Sequence, residues 1–203
     1  VRERDRIALD LHDGCAGDLA SIIKRLELCE RLFKIDPVRS LEELDSLKEN
    51  AKDILNRTRR VIFDLKLPED ANFNLSDSVD DYIKSYQEQN DINVKSGTFG
   101  PIGTIPADRA RQVFHIIGEA LTNIRKHSIA KNVELRIGRG SDNALIVDIK
   151  DDGRGFDVNE KESPAPGCGG GWGLINMRRR ASSLGGILVI ESVPGRGTAI
   201  VSS

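Results

Sequence analysis

Apolar residues recur at heptad spacing over residues 1–66 of the chain. This spacing predicts two long helices whose apolar seams bury best against partner helices in a supercoiled bundle. Between them, Asp36-Pro37 supplies an N-cap and a proline at the first helical position, so a second helix is predicted to begin there. The residues of the two seams are Cys15, Leu19, Ile22, Leu26, Cys29 and Phe33, then Leu44, Leu47, Ala51, Ile54, Thr58, Val61 and Leu65.

The predicted pair of helices is an all-α hairpin over residues 1–67. Two helices on their own bury only one seam each, which leaves apolar surface in contact with water. Association of two copies into a four-helix bundle buries that surface. The pattern therefore predicts a homodimer held together by this hairpin.

The pattern changes after the breaker-rich stretch Leu67-Pro68-Glu69-Asp70-Ala71-Asn72, where we place the boundary of a second domain over residues 72–203. Helices and strands in mixed order predict an α/β sandwich with helices on one face of a mixed sheet. The polar stretch 159–171, rich in glycine and proline, is expected to be a mobile lid. Predicted helices cover 76–90 (capped by Ser76), 106–127 and 173–184 (closed by Gly185-Gly186), and predicted strands cover 92–98, 131–137, 144–150, 187–191 and 198–201.

The composition limits the classes of binding partner and the cellular compartment that are expected. The 203 residues carry 30 basic and 32 acidic side chains, and no basic stripe with interleaved aromatics is evident, so direct nucleic-acid binding is not expected. Three cysteines without metal-ligand spacing fit free thiols in a reducing cytoplasm. No apolar run approaches the roughly 20 residues that span a bilayer, and no signal peptide is evident. The chain begins at Val1 inside a helical pattern, so we expect a cytoplasmic fragment of a longer protein, such as the cytoplasmic part of a membrane-bound sensor.

The helix predicted at 106–127 carries polar side chains at helical spacing. Glu119, Asn123 and Lys126 or His127 would share one face, because they lie four, three and four residues apart. A carboxylate and an amide oxygen one turn apart are hard oxygen ligands of the kind that Mg²⁺ prefers. An ordinary solvated helix face explains the same spacing equally well when this helix is considered alone.

Three glycine-containing segments adjoin predicted strands or helices. Asp151 follows an apolar strand and precedes Gly153 and Gly155; a carboxylate there can accept a hydrogen bond from the adenine amine, although an Asp-Gly turn is the simpler alternative. The glycines at 169–173 lead into a helix, whose first N–H groups can bind phosphate. The segment 195–198 could equally be a hairpin turn.

Together, the segments 119–127, 151–156, 169–174 and 195–198 resemble, in this order, the N, D and G boxes and the terminal Gly-x-Gly-Thr of the GHKL ATPases. The resemblance implies an ATP-binding domain that uses ATP and Mg²⁺. It implies that Asn123 is a metal ligand, that Glu119 positions metal or water, and that Asp151 binds adenine. The residues that it places at the nucleotide are Asn123, Lys126, His127, Asp151, Gly153, Gly155, Gly171, Gly173, Leu174 and Thr198.

The segment from Arg6 to Asp13 resembles the phosphoacceptor H-box of sensor histidine kinases that pair with NarL/LuxR-type response regulators. A lone histidine on a helix is more often structural, and the heptad phase leaves open whether His12 lies in the seam or beside it. The resemblance implies that His12 accepts the γ-phosphoryl group and that Asp13 accepts the proton. It also implies a regulator aspartate as the next acceptor.

Two other classes of protein remain as alternatives: a GHKL-type serine kinase or ATPase, and a scaffold that binds nucleotide only as a switch.

One departure from the resemblance concerns dephosphorylation of the response regulator. Relatives often carry glutamine five residues after the histidine, where it orients water for dephosphorylating the regulator, whereas this chain has Gly17. Glycine cannot hold a water there, so we expect little phosphatase activity.

Overall fold

The computed structural model describes residues 2–66, 72–100, 102–158 and 172–202; of these, the side chains of 2–15, 72–73 and 172 are not described. The chain divides into two compact units, 1–66 and 67–203. The predicted boundary at 67–72 and the predicted lid at 159–171 fall almost wholly outside the described residues.

The first unit is the predicted helical hairpin, formed by α1 (Arg2–Phe33) and α2 (Pro37–Lys66). Asp36 caps the second helix, because its Oδ1 accepts a hydrogen bond from the main-chain N–H of Arg39 at 3.1 Å. Pro37 is the first helical residue, where its missing N–H costs nothing. The prediction from Asp36-Pro37 is therefore confirmed.

The heptad seam of α1 divides into two rows within this single chain. Cys29 is buried, whereas Leu19, Leu26 and Phe33 are 59%, 43% and 63% exposed. These three leucine and phenylalanine side chains recur every seven residues, so they form a continuous exposed row. One row of the predicted seam thus packs within the hairpin and the other stays open to solvent.

Polar contacts set the register of the hairpin. The Ser40 hydroxyl donates to the main-chain oxygen of Cys29 at 2.8 Å in a buried position. Arg25 reaches across to α2, with its Nε 2.7 Å from Glu43 Oε1 and its Nη2 3.0 Å from Ser46 Oγ. These bonds join α1 and α2 near the turn, where the two helices are covalently connected.

The second unit is a five-stranded mixed sheet in the order β2-β4-β5-β7-β6, in which β2 and β4 are parallel and the other neighbours are antiparallel. This confirms the α/β prediction. A two-stranded sheet of β1 and β3 was not predicted. The elements are β1 (Asn72–Phe73), α3 (Leu75–Gln89), β2 (Asn93–Phe99), β3 (Ile105–Pro106), α4 (Ala107–Asn123), a π-helical turn (Ile124–Ser128), β4 (Asn132–Arg139), β5 (Leu145–Asp151), α5 (Trp172–Ser183), β6 (Leu188–Ser192) and β7 (Thr198–Ser202).

The core lies between the helices and one face of the sheet. Tyr82 of α3 meets Phe114 of α4 edge to face, with ring centroids 5.2 Å apart. The apolar face predicted for α4 is buried as expected. Its members are Ile116, Ile117, Ala120, Leu121 and Ile124, and the strands contribute Val133, Leu135, Ile137, Val147, Ile149, Ile190 and Ile200.

Helix ends differ from the predictions in two places. Helix α3 is capped by Asn74, whose side chain accepts from Ser76 N at 3.2 Å, so Ser76 is not the cap. Helix α4 ends at Asn123 rather than at His127, because the chain widens into the π-helical turn. The glycine end of α5 is confirmed: Gly185 has φ 77°, and Gly186 N donates to Ala181 O at 3.1 Å.

No helix within the described part of the chain is long and apolar enough to cross a membrane.

Candidate functional site

One cavity of the second unit draws its lining from all four glycine- and asparagine-containing segments singled out in the sequence. The lining comes from α4, the π-helical turn, the loop after β5, the start of α5 and β7. These elements meet because the N-terminus of α5 and the C-terminus of α4 lie over the same end of the sheet as the last residue of β5. The lining residues are Ala120, Asn123, Ile124, His127, Ser128, Asp151, Arg154, Gly155, Phe156, Gly173, Leu174, Thr198 and Ile200.

Glu119 and Asn123 converge on Gly173 at the start of α5. A Cβ added to Gly173 would lie 2.6 Å from Glu119 Oε1 and 3.3 Å from Asn123 Oδ1. The absence of a side chain at Gly173 therefore leaves room for this carboxylate and this amide beside the N-terminus of α5. Hard oxygen donors next to free helix N–H groups suit a magnesium-bound phosphate.

The π-helical turn places Lys126 and His127 differently from an α-helix. The sequence argument assumed that α4 continues, so that one of these residues follows Asn123 on the same face. Both side chains are exposed, and His127 lines the cavity whereas Lys126 does not. A π-helical turn of this kind occurs often at functional sites.

The chain leaves this turn through a strained residue. Ile129 has φ 58° and ψ 22°, in the left-handed region that a β-branched side chain rarely adopts. Ser128 stabilises the geometry: its hydroxyl donates to Ile124 O at 2.8 Å and accepts from Ala130 N at 3.0 Å. Sequence periodicity gives no signal for such a turn.

Arg154 caps the turn from the loop after β5. Its main-chain N–H donates to Ser128 O at 2.7 Å, and its Nε donates to His127 O at 2.6 Å. A guanidinium beside carbonyl groups at a helix C-terminus is electrostatically favourable. Arg154 therefore ties the loop of Asp151 to the turn of His127, a role that the sequence did not indicate.

Tyr86 of α3 donates a hydrogen bond to a main-chain carbonyl group of α4. Its hydroxyl donates to Leu121 O at 2.9 Å in a buried position. Burial raises the pKa of the Tyr86 hydroxyl, with a smaller contribution from Tyr82, so it remains a donor throughout the physiological range. The contact joins residues 35 positions apart, which no local pattern could have revealed.

Asp151 is the buried carboxylate of the cavity, with 4% of its surface exposed. It accepts a hydrogen bond from Gly153 N at 2.8 Å and further bonds from Thr198. Burial raises the pKa of Asp151, and the Gly153 and Thr198 bonds oppose that rise. A buried carboxylate of this kind can accept a hydrogen bond from the amine of a purine base.

Asp152 holds the same loop to β4. Its carboxylate accepts from Lys131 N at 2.8 Å, from Asn132 N at 2.9 Å and from Asn132 Nδ2 at 2.8 Å. The Asn132 side chain contributes most to lowering the pKa of Asp152, followed by main-chain donors. An asparagine at position 152 would lack the second acceptor oxygen, so the carboxylate is needed for all three of these bonds.

Glycine is required where three loops touch. A Cβ on Gly197 would lie 2.0 Å from Asp151 O, and one on Gly155 would lie 2.1 Å from Val193 O. Both residues also have positive φ, at 76° and 58°. Gly153 is equally close to the π-helical turn, since its Cβ would meet Ser128 O at 2.4 Å.

Three predicted residues remain. Gly171 lies outside the described residues. His12 and Asp13 lie within α1 of the first unit, and their side chains are not described. A second cavity, of about 490 Å³, lies beside α3 and β2 and has no charged side chain in its lining, so it does not suit a triphosphate.

Two family models match this chain. A family model described as histidine kinase matches residues 3–71, and one described as histidine kinase-, DNA gyrase B-, and HSP90-like ATPase matches residues 108–202. The signal transduction histidine-protein kinase/phosphatase DegS of Brevibacillus brevis is 33% identical over 202 residues, which cover 99% of this chain and 50% of the relative.

Two further relatives are similar over nearly the whole chain. An uncharacterized sensor-like histidine kinase of Chloroflexus aurantiacus is 33% identical over 203 residues, covering 97% of this chain and 33% of the relative. The DegS protein of Bacillus subtilis is 30% identical over 205 residues, covering 98% and 52%. The chain thus spans about half the length of the DegS proteins and a third of the other relative.

The fold has counterparts among solved structures. The histidine kinase domain of the blue-light activated histidine kinase of Erythrobacter litoralis EL346 superposes with a TM-score of 0.60 at 16% identity, covering 88% of this chain and 92% of that one. At this identity the likeness concerns the fold alone. The chain therefore combines a histidine kinase domain over residues 3–71 with a histidine kinase-, DNA gyrase B-, and HSP90-like ATPase domain over residues 108–202.

Proposed function

We propose that this chain binds Mg·ATP in the α/β unit, phosphorylates itself on His12, and passes the phosphoryl group to an aspartate of a response regulator of the NarL/LuxR type. The observation that carries the proposal is the convergence of Glu119 and Asn123 on Gly173, at the cavity that Asn123, Gly173 and Asp151 line. These residues supply oxygen ligands for the metal and a carboxylate acceptor for the base, and the start of α5 supplies N–H groups for the phosphates.

The base end of the nucleotide belongs at Asp151. Its carboxylate accepts the amine of adenine, and Thr198 lies on the next strand, in register with it. Gly153 and Gly155 let the loop approach the ring. Leu174 and Ile200 supply apolar surface for the ring faces.

The phosphate end belongs between α4 and α5. The first N–H groups of α5 face the phosphates, and His127 adds a polar donor from the lining of the cavity. Lys126, which is exposed on the same turn and outside the lining, would have to extend its side chain to reach them. Glu119 and Asn123 would hold Mg²⁺, which neutralises charge that develops on the triphosphate. Orientation of the γ-phosphate is thus set by groups on two helices that share the core of one unit.

His12 is the nucleophile. Its neutral imidazole nitrogen attacks the γ-phosphorus, the bond to the bridging oxygen of ADP breaks, and Asp13 accepts the imidazole proton. The phosphoryl group then passes from this nitrogen to the carboxylate of the regulator. Because ATP is the donor, we place the reaction in the cytoplasm.

A homodimer fits the exposed apolar rows of the hairpin. Leu19, Leu26 and Phe33 form one row on α1, and Leu41, Leu55 and Ile62 recur at multiples of seven on α2, with 58%, 40% and 41% of their surfaces exposed. A second copy of the hairpin presents the same rows, so a four-helix bundle covers both.

The test is incubation with ATP labelled in the γ-phosphate, followed by acid and alkali treatment of the protein. Label on His12 survives alkali and is lost in acid, whereas label on serine behaves in the opposite way and would support a serine kinase. His12→Gln should abolish the label while ATP affinity stays within about twofold. Label that persists in His12→Gln would remove the assignment.

A further inference from the structure

Three polar residues lie in register across three neighbouring strands at the base end of the cavity. Asp151 on β5 is opposite Thr198 on β7, and Thr198 is opposite Ser192 on β6. Ser192 does not line the cavity and would be passed over in a search for binding residues. Its hydroxyl nevertheless contacts Thr198 Oγ1 at 3.0 Å.

The contacts of Ser192 determine where its proton goes. The main-chain N–H of Phe156 donates to Ser192 Oγ at 2.9 Å, so this oxygen is already an acceptor. Its single proton has two available acceptors, Thr198 Oγ1 at 3.0 Å and Gly197 O at 3.1 Å. Ser192 is therefore held by a main-chain donor of the loop after β5 and by acceptors at the start of β7.

The Thr198 hydroxyl also has two choices, the Asp151 carboxylate and Ser192 Oγ. An ionised acceptor forms the stronger bond, so Thr198 donates to Asp151. Thr198 Oγ1 is then left as an acceptor for the Ser192 proton. Hydrogen bonds that run in one direction strengthen one another.

We propose that Ser192 is a positioning residue for base recognition: the chain from Phe156 N–H through Ser192 and Thr198 directs a hydroxyl at Asp151 and keeps this carboxylate ionised, as an acceptor for the amine of the base. The inference rests on the proposed use of the cavity for ATP. It assigns the orientation of Thr198 to a residue outside the cavity.

The charge on Asp151 needs such support because its surroundings oppose it. Burial favours the neutral acid, and the neighbouring Asp152 carboxylate favours it as well. Tyr86 faces Asp151 from α3 and is uncharged, since its own pKa is raised by burial. His127 and Arg154 line the same cavity. A protonated Asp151 would present a donor where the adenine amine needs an acceptor.

The decisive measurement is a pH titration of the Asp151 carboxyl carbon by NMR, without nucleotide, in wild type, Ser192→Ala and Ser96→Ala. Ser96 is a matched control because its hydroxyl also leaves a strand, on the far edge of the sheet, and donates to Asp80 at 3.1 Å. We expect the pKa of Asp151 to rise in Ser192→Ala and to be unchanged in Ser96→Ala. An unchanged pKa in Ser192→Ala overturns the inference.

Nucleotide binding gives the second readout. Loss of a hydrogen bond at this position should weaken ATP about threefold to tenfold at neutral pH. The acid limb of the affinity profile should move to higher pH in parallel with the carboxyl titration. A weaker affinity without any movement of the acid limb would mean that Ser192 serves only the packing of β6.

Two further sets of variants test the link between Ser192 and Asp151. In a Thr198→Val background, Ser192→Ala should cause no further change in the pKa of Asp151, because the link is already cut. If Ser192→Ala does not fold, the isosteric pair Ser192→Thr and Ser192→Val repeats the comparison with and without a hydroxyl. Equal Asp151 pKa values in that pair contradict the inference. Wild type that titrates as expected but does not bind ATP would instead contradict the proposed function.

Discussion

Helix α2 of the hairpin and helix α4 of the α/β unit bury their side chains to very different extents. Four of the 30 residues of α2 are buried, against ten of the 17 residues of α4. Helix α4 is covered by its own sheet and by neighbouring helices, whereas α2 packs against α1 within the hairpin. The α/β unit therefore completes its core alone, and the hairpin leaves apolar rows for another chain to cover.

The two units do not differ in how completely their polar groups are paired. In the α/β unit, buried Asp151 lines the cavity and accepts a hydrogen bond from Gly153 N, and buried Tyr86 donates to Leu121 O. Side-chain atoms without a hydrogen-bond partner among the described residues nevertheless occur in both units, at Asn56 Oδ1 in the hairpin and at Asn90 Oδ1 in the α/β unit. The difference between the units therefore lies in how completely each covers its apolar side chains.

The largest expected effect separates chemistry from binding. Asp13→Asn keeps the size of the side chain but cannot take the proton from His12. Autophosphorylation should fall by roughly 10²–10⁴-fold, the usual range for a positioned proton acceptor. Calorimetry should give an unchanged ATP affinity, because the nucleotide site lies in the other unit. A labelling rate within about threefold of wild type would show that Asp13 does not act as the base.

The next effect tests whether the open rows belong to a second copy. Leu26→Asp places a charge in the exposed row of α1 and should raise the dimer dissociation constant at least about 100-fold, since burying an unpaired charge costs several kcal/mol. Sedimentation velocity measures this directly. Ile187→Asp is the control, because Ile187 is 64% exposed but lies in the α/β unit. Equal dissociation by both variants would contradict the assignment of the interface to the hairpin.

A third change should affect binding and stability in opposite directions. Asp151→Asn removes a charged acceptor, which contributes about 1.5–3 kcal/mol, so ATP affinity should fall about 10- to 100-fold. Titration calorimetry measures the loss. Unchanged affinity would mean that Asp151 does not contact the base.

The expected effect of Asp151→Asn on the free energy of unfolding follows from the raised pKa of Asp151. The folded protein binds this proton more tightly than the unfolded chain does, so the stability contributed by Asp151 is complete below its unfolded pKa and is lost as pH rises through its folded pKa. Asp151→Asn should therefore be at least as stable as wild type to urea at neutral pH. Its advantage should disappear in acid, and an advantage that grew in acid would contradict the shift.

A smaller effect concerns shut-off. Gly17 lies exposed on α1, and a Cβ there meets no atom within 4 Å, so a glutamine can be accommodated. Gly17→Gln should raise dephosphorylation of the regulator several-fold, assayed in a His12→Gln background that blocks reverse transfer. Gly17→Ala is the control for helix propensity, worth about 1 kcal/mol. Strong phosphatase activity with Gly17 intact would show that the glutamine is not needed here.

The smallest expected effect tests the strain at the end of the π-helical turn. Ile129→Asn should stabilise the α/β unit by about 1 kcal/mol, because asparagine tolerates the left-handed region better than a β-branched residue does. Little burial is lost, since Ile129 is 79% exposed. Ile187→Asn, at an exposed position without positive φ, should leave the urea midpoint unchanged. Destabilisation by Ile129→Asn would mean that the isoleucine makes a contact worth more than the strain.

Local sequence signals were sufficient wherever the causes are local. The Asp36-Pro37 helix start depends on adjacent residues, and the Gly185-Gly186 helix end on residues five positions apart at most. Strand residues such as those of β5 were recognisable because alternation and β-branching are properties of neighbouring positions. That Asn123, Asp151 and Gly173 belong to one site was implied by the resemblance of the ordered segments to the GHKL boxes, and not by any local signal.

Contacts between distant residues decided the rest. The π-helical turn depends on Arg154, 27 positions beyond His127, and on Tyr86, 35 positions before Leu121. The proton order at Asp151 depends on Ser192, which reaches it only across two strands of the folded sheet. The heptad pattern determined that α1 would have an apolar seam. Which row of that seam is buried was decided only by the packing of α2, because a partner helix can lie against either edge of the seam.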